Sequence, residues 1–247
     1  MKTLYRYQPI NKYSLINLSL KMNWVSNPKD FNDPFEFVMR SNYFLSEENK
    51  VIQLPLKQIE VKREIESEID KLGVVCYSEL EEEILMWSHY ADGHRGMALV
   101  FDVENPIAKS IAKVNYIEQL PEMNFESDPR NIKSGLSQTI ISKSKSWEYE
   151  KEWRQIISMK GKHIEYPGDL KEIIFGCKCP REDMEMVWGI TEPIYNDTIT
   201  YSRLMIQDDL YGFTKTYCPS HQNKKLKETH FFQNYGEAIH RSNLDLE

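Results

Sequence analysis

The feature that most constrains the fold is a change from helical to strand periodicity at Gly73. Between Val61 and Leu72, apolar residues recur at intervals of four, four and three within a charged stretch. This spacing predicts a helix with one buried stripe that ends at Gly73. Residues 74–78 are mainly apolar and predict a buried strand directly after it. The chain therefore combines helices and strands within short distances.

The same alternation continues along the sequence. Predicted strands cover residues 3–7, 23–26, 74–78, 96–102, 113–116, 152–159, 172–175 and 198–205, and predicted helices cover 10–20, 61–72, 81–91, 131–144 and 181–188. No repeat or low-complexity linker divides the chain. We predict one α+β domain of catalytic type over 1–207, with a mixed, split and twisted sheet flanked by helices. Residues 208–247 are predicted to be a polar tail.

Composition limits the classes of function. With 40% hydrophobic and 28% charged residues, a chain of 247 residues can bury a core. A formal charge of -7 argues against a broad phosphate-binding face, although a local basic groove remains open. No apolar run approaches the roughly 20 residues of a membrane helix, and the first residues do not resemble a signal peptide. We predict a cytoplasmic protein with no membrane partner.

The four cysteines predict no special chemistry. Cys76, Cys177, Cys179 and Cys218 are too few and too scattered for a disulfide framework. Cys177 and Cys179 also lack the second ligand pair that a zinc site needs. We predict free thiols and no metal.

Charged and aromatic motifs point to a family. They are, in chain order, Leu4-Tyr5-Arg6-Tyr7, Asn32-Asp33-Pro34-Phe35-Glu36, Cys76-Tyr77-Ser78, Met86-Trp87-Ser88-His89-Tyr90, His94-Arg95-Gly96 and Trp147-Glu148-Tyr149-Glu150-Lys151-Glu152-Trp153-Arg154. Together they resemble the bacterial domain-of-unknown-function family 2971 (DUF2971) over about residues 3–205. Membership of this family implies no activity by itself.

The order of the motifs also resembles DarT-type ADP-ribosyltransferase toxins. Those proteins open with a strand carrying Tyr-His, present an aromatic residue on a middle strand, and end with a Glu at the start of a late strand. The matching segments here are Tyr5-Arg6, Cys76-Tyr77-Ser78 before Met86-Trp87, and Glu152-Trp153-Arg154. The resemblance implies an ADP-ribosyltransferase-like fold, although Arg6 replaces the histidine.

The resemblance further implies NAD as the substrate and a toxin or phage-defence effector that modifies nucleic acid or protein. Loss of nicotinamide leaves positive charge on the ribose, which a carboxylate can stabilise. The implied catalytic residues are Glu152, Arg6 and Glu150. The implied NAD-contacting residues are Tyr5, Arg6, Tyr77, Ser78, Trp87 and Tyr90. Of these, Arg6, Tyr77 and Ser78 are expected to point into one cleft with Glu152.

Each of these residues also has a structural interpretation. Arg6 can pair with Glu152 or another acid across the sheet. Glu148, Glu150 and Glu152 alternate, so on a strand they would face one side, and one of them should have a cationic partner. Trp87, Met86 and Tyr90 have the spacing of a helix that packs on a core.

Two other functions remain open from the sequence. Asp33, Glu36, His89 and His94 could assemble a divalent metal in a hydrolase or nuclease, although Asp92-Gly93 breaks the helix between the histidines. Alternatively, the pocket binds a nucleotide or partner without turnover. The Asn32 and Asp33 side chains could instead cap the backbone of the loop. Glu36 could form an ion pair with an arginine such as Arg95.

Overall fold

The computed structural model describes residues 1–38, 56–121 and 136–217. Within these ranges the chain has a large mixed sheet and several helices, which confirms the predicted α+β class. No helix in the described ranges is long and apolar enough to cross a membrane. The predicted helix at 131–144 falls partly outside the description, as do Cys218 and most of the predicted tail.

The elements are as follows. The strands are β1 (Lys2–Gln8), β2 (Met22–Trp24), β3 (Gly73–Ser78), β4 (Met97–Val103), β5 (Ile111–Lys113), β6 (Asn115–Ile117), β7 (Ser142–Ser144), β8 (Glu152–Ile157), β9 (His163–Glu165), β10 (Asp169–Phe175), β11 (Thr200–Ile206) and β12 (Phe213–Tyr217). The helices are α1 (Lys12–Leu20), α2 (Leu56–Ile69), α3 (Ile84–Tyr90), α4 (136–141) and α5 (Arg181–Tyr195). Short 3₁₀ turns cover Pro28–Asp30, Pro106–Lys109 and Lys145–Glu150.

The chain divides into two compact units, each built from separate segments. The first unit contains Met1–Leu4, Lys21–Glu83 and Val103–Pro167. The second contains Tyr5–Leu20, Ile84–Asp102 and the described residues from Gly168 onward. Strand β1 contributes its first residues to the first unit and its remaining residues to the second.

The first unit is built around strand β8. Both β3 and β5 pair with β8 in antiparallel fashion, and Ser78 lies opposite Glu152 at the end of the β3–β8 ladder. Gly73 is the first residue of β3. A Cβ at this position would lie 2.0 Å from the carbonyl oxygen of Met159 and 2.1 Å from the Val25 side chain. Close packing, rather than a left-handed turn, therefore requires a glycine at this position.

The second unit packs its strands around Trp87. Antiparallel β4–β10, parallel β10–β11 and antiparallel β11–β12 pairs form its part of the sheet, and α5 connects the two parallel strands. Trp87 of α3 is fully buried, and the Tyr7 ring meets it edge-on with centroids 5.0 Å apart. Met86 and Tyr90 pack in the same core, which confirms the structural interpretation of this helix.

The acidic segment before β8 differs from the prediction. Residues 145–150 form a 3₁₀ turn, whose first residues are capped by Ser144 and which ends at Lys151 with a left-handed φ of 43°. The expectation that three alternating glutamates face one side of a strand is therefore wrong. Glu148 pairs at the surface with Lys151 at 3.3 Å, whereas Glu150 and Glu152 are buried.

Several boundaries and short strands also differ. Helix α3 begins at Ile84 rather than at 81, and α5 continues to Tyr195 rather than ending at 188. The strand predicted at 113–116 is two three-residue strands, β5 and β6. Strand β12 lies in the predicted tail, where its pairing with β11 defines it.

Candidate functional site

The predicted site residues are distributed over both units. Tyr77, Ser78, Glu150 and Glu152 belong to the first unit, and Tyr5, Arg6, Trp87 and Tyr90 belong to the second. The convergence of Arg6 with Glu152 and Tyr77 in one cleft therefore stays a prediction. Within the second unit, Tyr5 and Tyr90 pack against the same core as Trp87.

Tyr77 is enclosed in a polar network of the first unit. Its side chain is only 2% exposed. The hydroxyl accepts a hydrogen bond from Asn23 Nδ2 at 2.9 Å and donates one to Gln155 Oε1 at 3.1 Å. Stacking of this ring on a ligand, the role implied by the DarT resemblance, would require the network to open.

Ser78 ties the end of β3 to the acidic turn. Its hydroxyl donates to the carbonyl oxygen of Glu150 at 2.6 Å and accepts from the backbone N–H of Leu80 at 3.0 Å. The backbone N–H of Glu152 donates to the Tyr116 hydroxyl at 2.8 Å. These bonds hold Glu150 and Glu152 in place at the start of β8.

A group of five charged side chains, which we call the buried ion cluster, lies at this position. Its members are Glu36, Lys143, Glu150, Glu152 and Arg154. None of their side chains is more than 7% exposed. Burial of so many charges is tolerated only when each has partners, so the contacts within the cluster determine whether it is stable.

Arg154 is the most buried member of the cluster. Its Nε donates to Glu152 Oε1 at 2.8 Å, Nη1 donates to the carbonyl oxygen of Ile140 at 2.8 Å, and Nη2 lies 2.7 and 2.8 Å from the two Glu36 oxygens. The rings of Phe31 and Phe37 lie 6.0 and 5.0 Å from the guanidinium carbon. The planar guanidinium is thus bonded at its edge and covered by aromatic rings.

Lys143 of β7 joins the three carboxylates. Its ammonium donates to Glu150 and, at 2.9 Å, to Glu152, and it lies 3.2 Å from Glu36. An ammonium has three N–H donors, so it can offer one donor to each of the three carboxylates. The one-acid pairing predicted from the sequence is confirmed and extended, since Glu150 and Glu152 share this cation.

Opposite charges within the cluster shift the pKa values of its members. Burial alone would raise the pKa of Glu152, but the charges of Arg154 and Lys143 outweigh it and lower the pKa to about 2. Burial alone would lower the pKa of Lys143, but the negative charges of Glu152, Glu150 and Glu36 outweigh burial and raise it. Among the described residues, the cluster thus brings together three carboxylates, those of Glu36, Glu150 and Glu152, and two cations, Lys143 and Arg154.

Burial also shifts the pKa values of Tyr116 and Cys76, which neighbour the cluster. Removal from water, followed by the charge of Glu152, raises the pKa of the Cys76 thiol well above its usual value. Burial is also the main reason that the pKa of Tyr116 is raised. Both groups are therefore neutral next to the cluster. Cys76, Cys177 and Cys179 are free thiols, as predicted.

The loop before position 38 brings Glu36 into the cluster. Asp33 Oδ1 accepts from the backbone N–H of Phe35 at 2.9 Å, which confirms the predicted cap. Glu36 does pair with an arginine, as the sequence suggested, but its partners are Arg154 and Lys143 rather than Arg95. Arg95 instead pairs with Asp92, three residues earlier in the same turn, at 2.9 Å.

A cavity of about 270 Å³ lies next to the cluster. Phe35 and Val38 line one part of it, and Ile117 and Leu120 line another. Its polar lining includes Glu118, Gln119, Ser142, Lys143 and Ser144. Lys143 belongs both to the cavity wall and to the cluster, so a molecule in the cavity would lie within the electrostatic field of the cluster.

The metal-site alternative has no assembled ligand set among the described residues. In those residues, no group of three or more His, Cys, Asp or Glu side chains could hold a metal ion. His94 has a left-handed φ of 70°, and its ring packs 5.7 Å from that of Phe213.

Sequence reasoning identified only part of the cluster. Glu150 and Glu152 were singled out, and Arg154 could have been added, because it lies two residues from Glu152 on the same face of β8. Lys143 was assigned to a helix, although it lies on the short strand β7. No local pattern marks it as a partner of Glu150 and Glu152.

The fold and the site define an α+β protein with a buried ion cluster beside a small cavity. The model of the family described as protein of unknown function (DUF2971) matches residues 86–155. The match confirms the family resemblance over this segment, which includes Lys143, Glu150, Glu152 and Arg154, whereas the motifs at 4–7, 32–36 and 76–78 lie outside it. No curated protein and no solved structure matches the chain, so the DarT resemblance gains no support from these comparisons.

Proposed function

We propose that this chain is an NAD-dependent ADP-ribosyltransferase-like protein, in fold and in activity, whose reaction centre is the cavity beside the buried ion cluster. The observation that carries the proposal is the pair of buried carboxylates, Glu150 and Glu152, whose shared partner Lys143 lines the cavity. The acceptor is a nucleic acid or a protein, as in a toxin or phage-defence effector.

The chemistry requires negative charge near the sugar. When the bond between nicotinamide and ribose breaks, its electron pair goes to the ring nitrogen, nicotinamide leaves neutral, and positive charge develops on the ribose. A nucleophile of the acceptor then bonds to the anomeric carbon and loses its proton to solvent. Fixed negative charge in a site with little water stabilises such a cation.

Glu152 would act through this field rather than by direct contact with the ribose. Its Oε1 accepts from Arg154 and its Oε2 accepts from Lys143 and Arg154, so both oxygens are in use. Glu150 shares the Lys143 ammonium. The two acids therefore contribute to a single electrostatic unit.

A second candidate function is a nucleotide-binding module without turnover. It is favoured by the same occupation of both Glu152 oxygens, since a carboxylate bonded in this way can be structural. The two functions predict different outcomes with NAD. With either function, NAD should raise the melting temperature of the protein by mass action. Only a transferase should also release nicotinamide.

The test is incubation of the purified protein with NAD labelled in the adenosine half, with and without a cell lysate. Nicotinamide release and transfer of label to protein or nucleic acid are expected. The Glu152→Gln variant should lose activity by a factor of about 10²–10³, measured per folded molecule below its melting temperature. Glu150→Gln should lose a similar factor, because it shares Lys143.

The matched control is Glu148→Gln. Glu148 lies in the same turn but pairs at the surface with Lys151, so its loss should leave the activity near that of the unaltered protein. Stabilisation by NAD without nicotinamide release would favour the binding module. If NAD neither raises the melting temperature nor is cleaved to release nicotinamide, both functions are contradicted.

A further inference from the structure

We infer that the outer face of helix α1 is a docking surface for the C-terminal part of this same chain, which binds it through residues 231–239. The face consists of Tyr13, Ile16 and Leu20. Helix α1 contributes no residue to the cavity beside the buried ion cluster, so the inference does not depend on the proposed function.

Helix α1 exposes apolar side chains in one row. Tyr13, Ile16 and Leu20 are 66%, 47% and 49% exposed. They are three and four residues apart, so they are neighbours on one face of the helix. Single exposed apolar residues are common on protein surfaces, whereas a contiguous group of them is typical of an interaction surface.

The buried face of α1 is more polar than its outer face. Ser14 and Asn17 are buried beside Leu18. The Ser14 hydroxyl accepts from the backbone N–H of Asn11 and donates to the carbonyl oxygen of the same residue, both at 3.0 Å. A helix whose outer face meets water normally has the opposite arrangement, with its polar residues outside. The outer face of α1 therefore has the composition of a covered surface.

The size of the face favours a segment of the same chain over a second copy. Three partly exposed side chains offer only a few hundred Å², whereas each partner in a stable protein–protein interface contributes roughly 800 Å². A tethered segment binds at a lower entropic cost, because the tether keeps its local concentration high. A small apolar face can thus hold a tethered segment although it would not hold a free partner.

The chain beyond β12 is tethered to the unit that contains α1. Strand β12 ends at Tyr217, in the second unit, and residues 218–247 lie outside the described ranges. Residues 218–230 are mainly polar. An extended chain spans about 3.3 Å per residue, so this stretch reaches up to roughly 40 Å, more than the roughly 30 Å diameter of a small domain. The residues that follow it can therefore reach α1.

Residues 231–239 carry apolar side chains at helical spacing. Phe231, Tyr235 and Ile239 recur at intervals of four. On a helix this spacing places all three on one face, which matches the row of apolar side chains on α1. Helices pack against each other through such rows. The sequence after β12 thus has the order of a polar tether followed by an apolar docking segment.

Photo-crosslinking on the full chain identifies the occupant of the face. With p-benzoylphenylalanine in place of Tyr13, irradiation of dilute protein should join α1 to residues 231–239 in a product of monomer mass. The same photoreactive residue in place of Ile107, which is 85% exposed in the first unit, is the control and should give no cross-link to 231–239. Cross-links only between two copies, cross-links only to another segment, or no cross-link from position 13 would overturn the inference.

Ile16→Ser tests the apolar contact in the full chain. Isoleucine and serine have similar helix propensities, so α1 should stay folded while its outer face loses apolar surface. Hydrogen exchange of the backbone amides of 231–239, measured by mass spectrometry, should become about tenfold faster, as expected when part of the burial of an isoleucine side chain is lost. Ile107→Ser is the matched control and should leave this exchange unchanged.

Tyr235→Ser provides the reciprocal test. It should increase the exchange of 231–239 by a similar factor, and adding Ile16→Ser to it should have little further effect, because both substitutions remove the same contact. If Ile16→Ser and Tyr235→Ser both leave the exchange of 231–239 as it is in the unaltered protein, residues 231–239 do not bind α1 and the inference is overturned.

Discussion

At the scale of single residues, Arg154 shows how a buried charge is made tolerable. Taking a guanidinium out of water costs several kcal/mol, and only well-placed partners offset that cost. Arg154 uses Glu152, Glu36 and a backbone carbonyl, and aromatic rings cover it. Such an arrangement is sensitive to the loss of any one partner.

We therefore expect Glu152→Gln to destabilise the protein by about 3 kcal/mol. Removing one member of a buried ion pair typically costs about 3–5 kcal/mol, and glutamine retains one oxygen acceptor, which favours the lower end. Urea denaturation followed by circular dichroism measures the change in the free energy of unfolding.

The control for stability is Glu148→Gln, which removes a surface pair that is 47% and 40% exposed. Its effect should stay within about 0.5 kcal/mol. If the two variants have equal stability, Glu152 is not a structural part of the cluster.

The sequence predicted the importance of Glu150 and Glu152 but not how they are held. Alternation along a strand was the wrong reason, because Ser144 and Lys151 enclose a 3₁₀ turn. Lys143 could not be assigned, because a three-residue strand leaves almost no periodic signal. The partner of Glu36 was also missed, since pairings between residues more than 100 positions apart depend on tertiary structure.

At the scale of elements, the helices and strands with a clear period were predicted well. Strands β1, β3, β4, β8 and β11 and helix α1 agree with their predicted positions within about two residues. Strands β9 and β12 were missed, because each is defined by pairing with a partner strand. Local propensity predicts such elements poorly.

Helix α3 is expected to depend on Trp87. Trp87→Ala should destabilise the protein by about 3–5 kcal/mol, because removal of a fully buried indole leaves a cavity in the core of the second unit. Thermal unfolding measures the effect.

Trp24→Ala is the matched control for this substitution. The Trp24 side chain is 42% exposed and meets the His163 ring edge-on, so its loss should have a smaller effect. An equal loss of stability in the two variants would contradict the assignment of Trp87 as a core residue.

At the scale of the whole molecule, acid should destabilise the fold through two carboxylates. Partial burial alone would raise the pKa of Glu79, but hydrogen bonds from Lys113, Trp153 and Lys2 lower it to about 2. The pKa of Glu152 is also lowered to about 2. A carboxylate with a depressed pKa stabilises the fold above its unfolded pKa, and this contribution is lost as pH falls through the folded pKa.

The free energy of unfolding should therefore fall as the pH decreases from about 4.5, the ordinary pKa of a glutamate, towards 2. Urea denaturation at a series of pH values measures this slope. In Glu79→Gln the slope should be shallower over the same interval. An identical slope in that variant would show that Glu79 does not contribute.

The division of the chain into interleaved units also restricts how such a protein can be rearranged during evolution. The backbone passes between the two units at residues 4–5, 20–21, 83–84, 102–103 and 167–168. No single break in the gene would yield either unit intact. Exchange of a contiguous block that begins in a segment of one unit and ends in a segment of the other would disrupt both units.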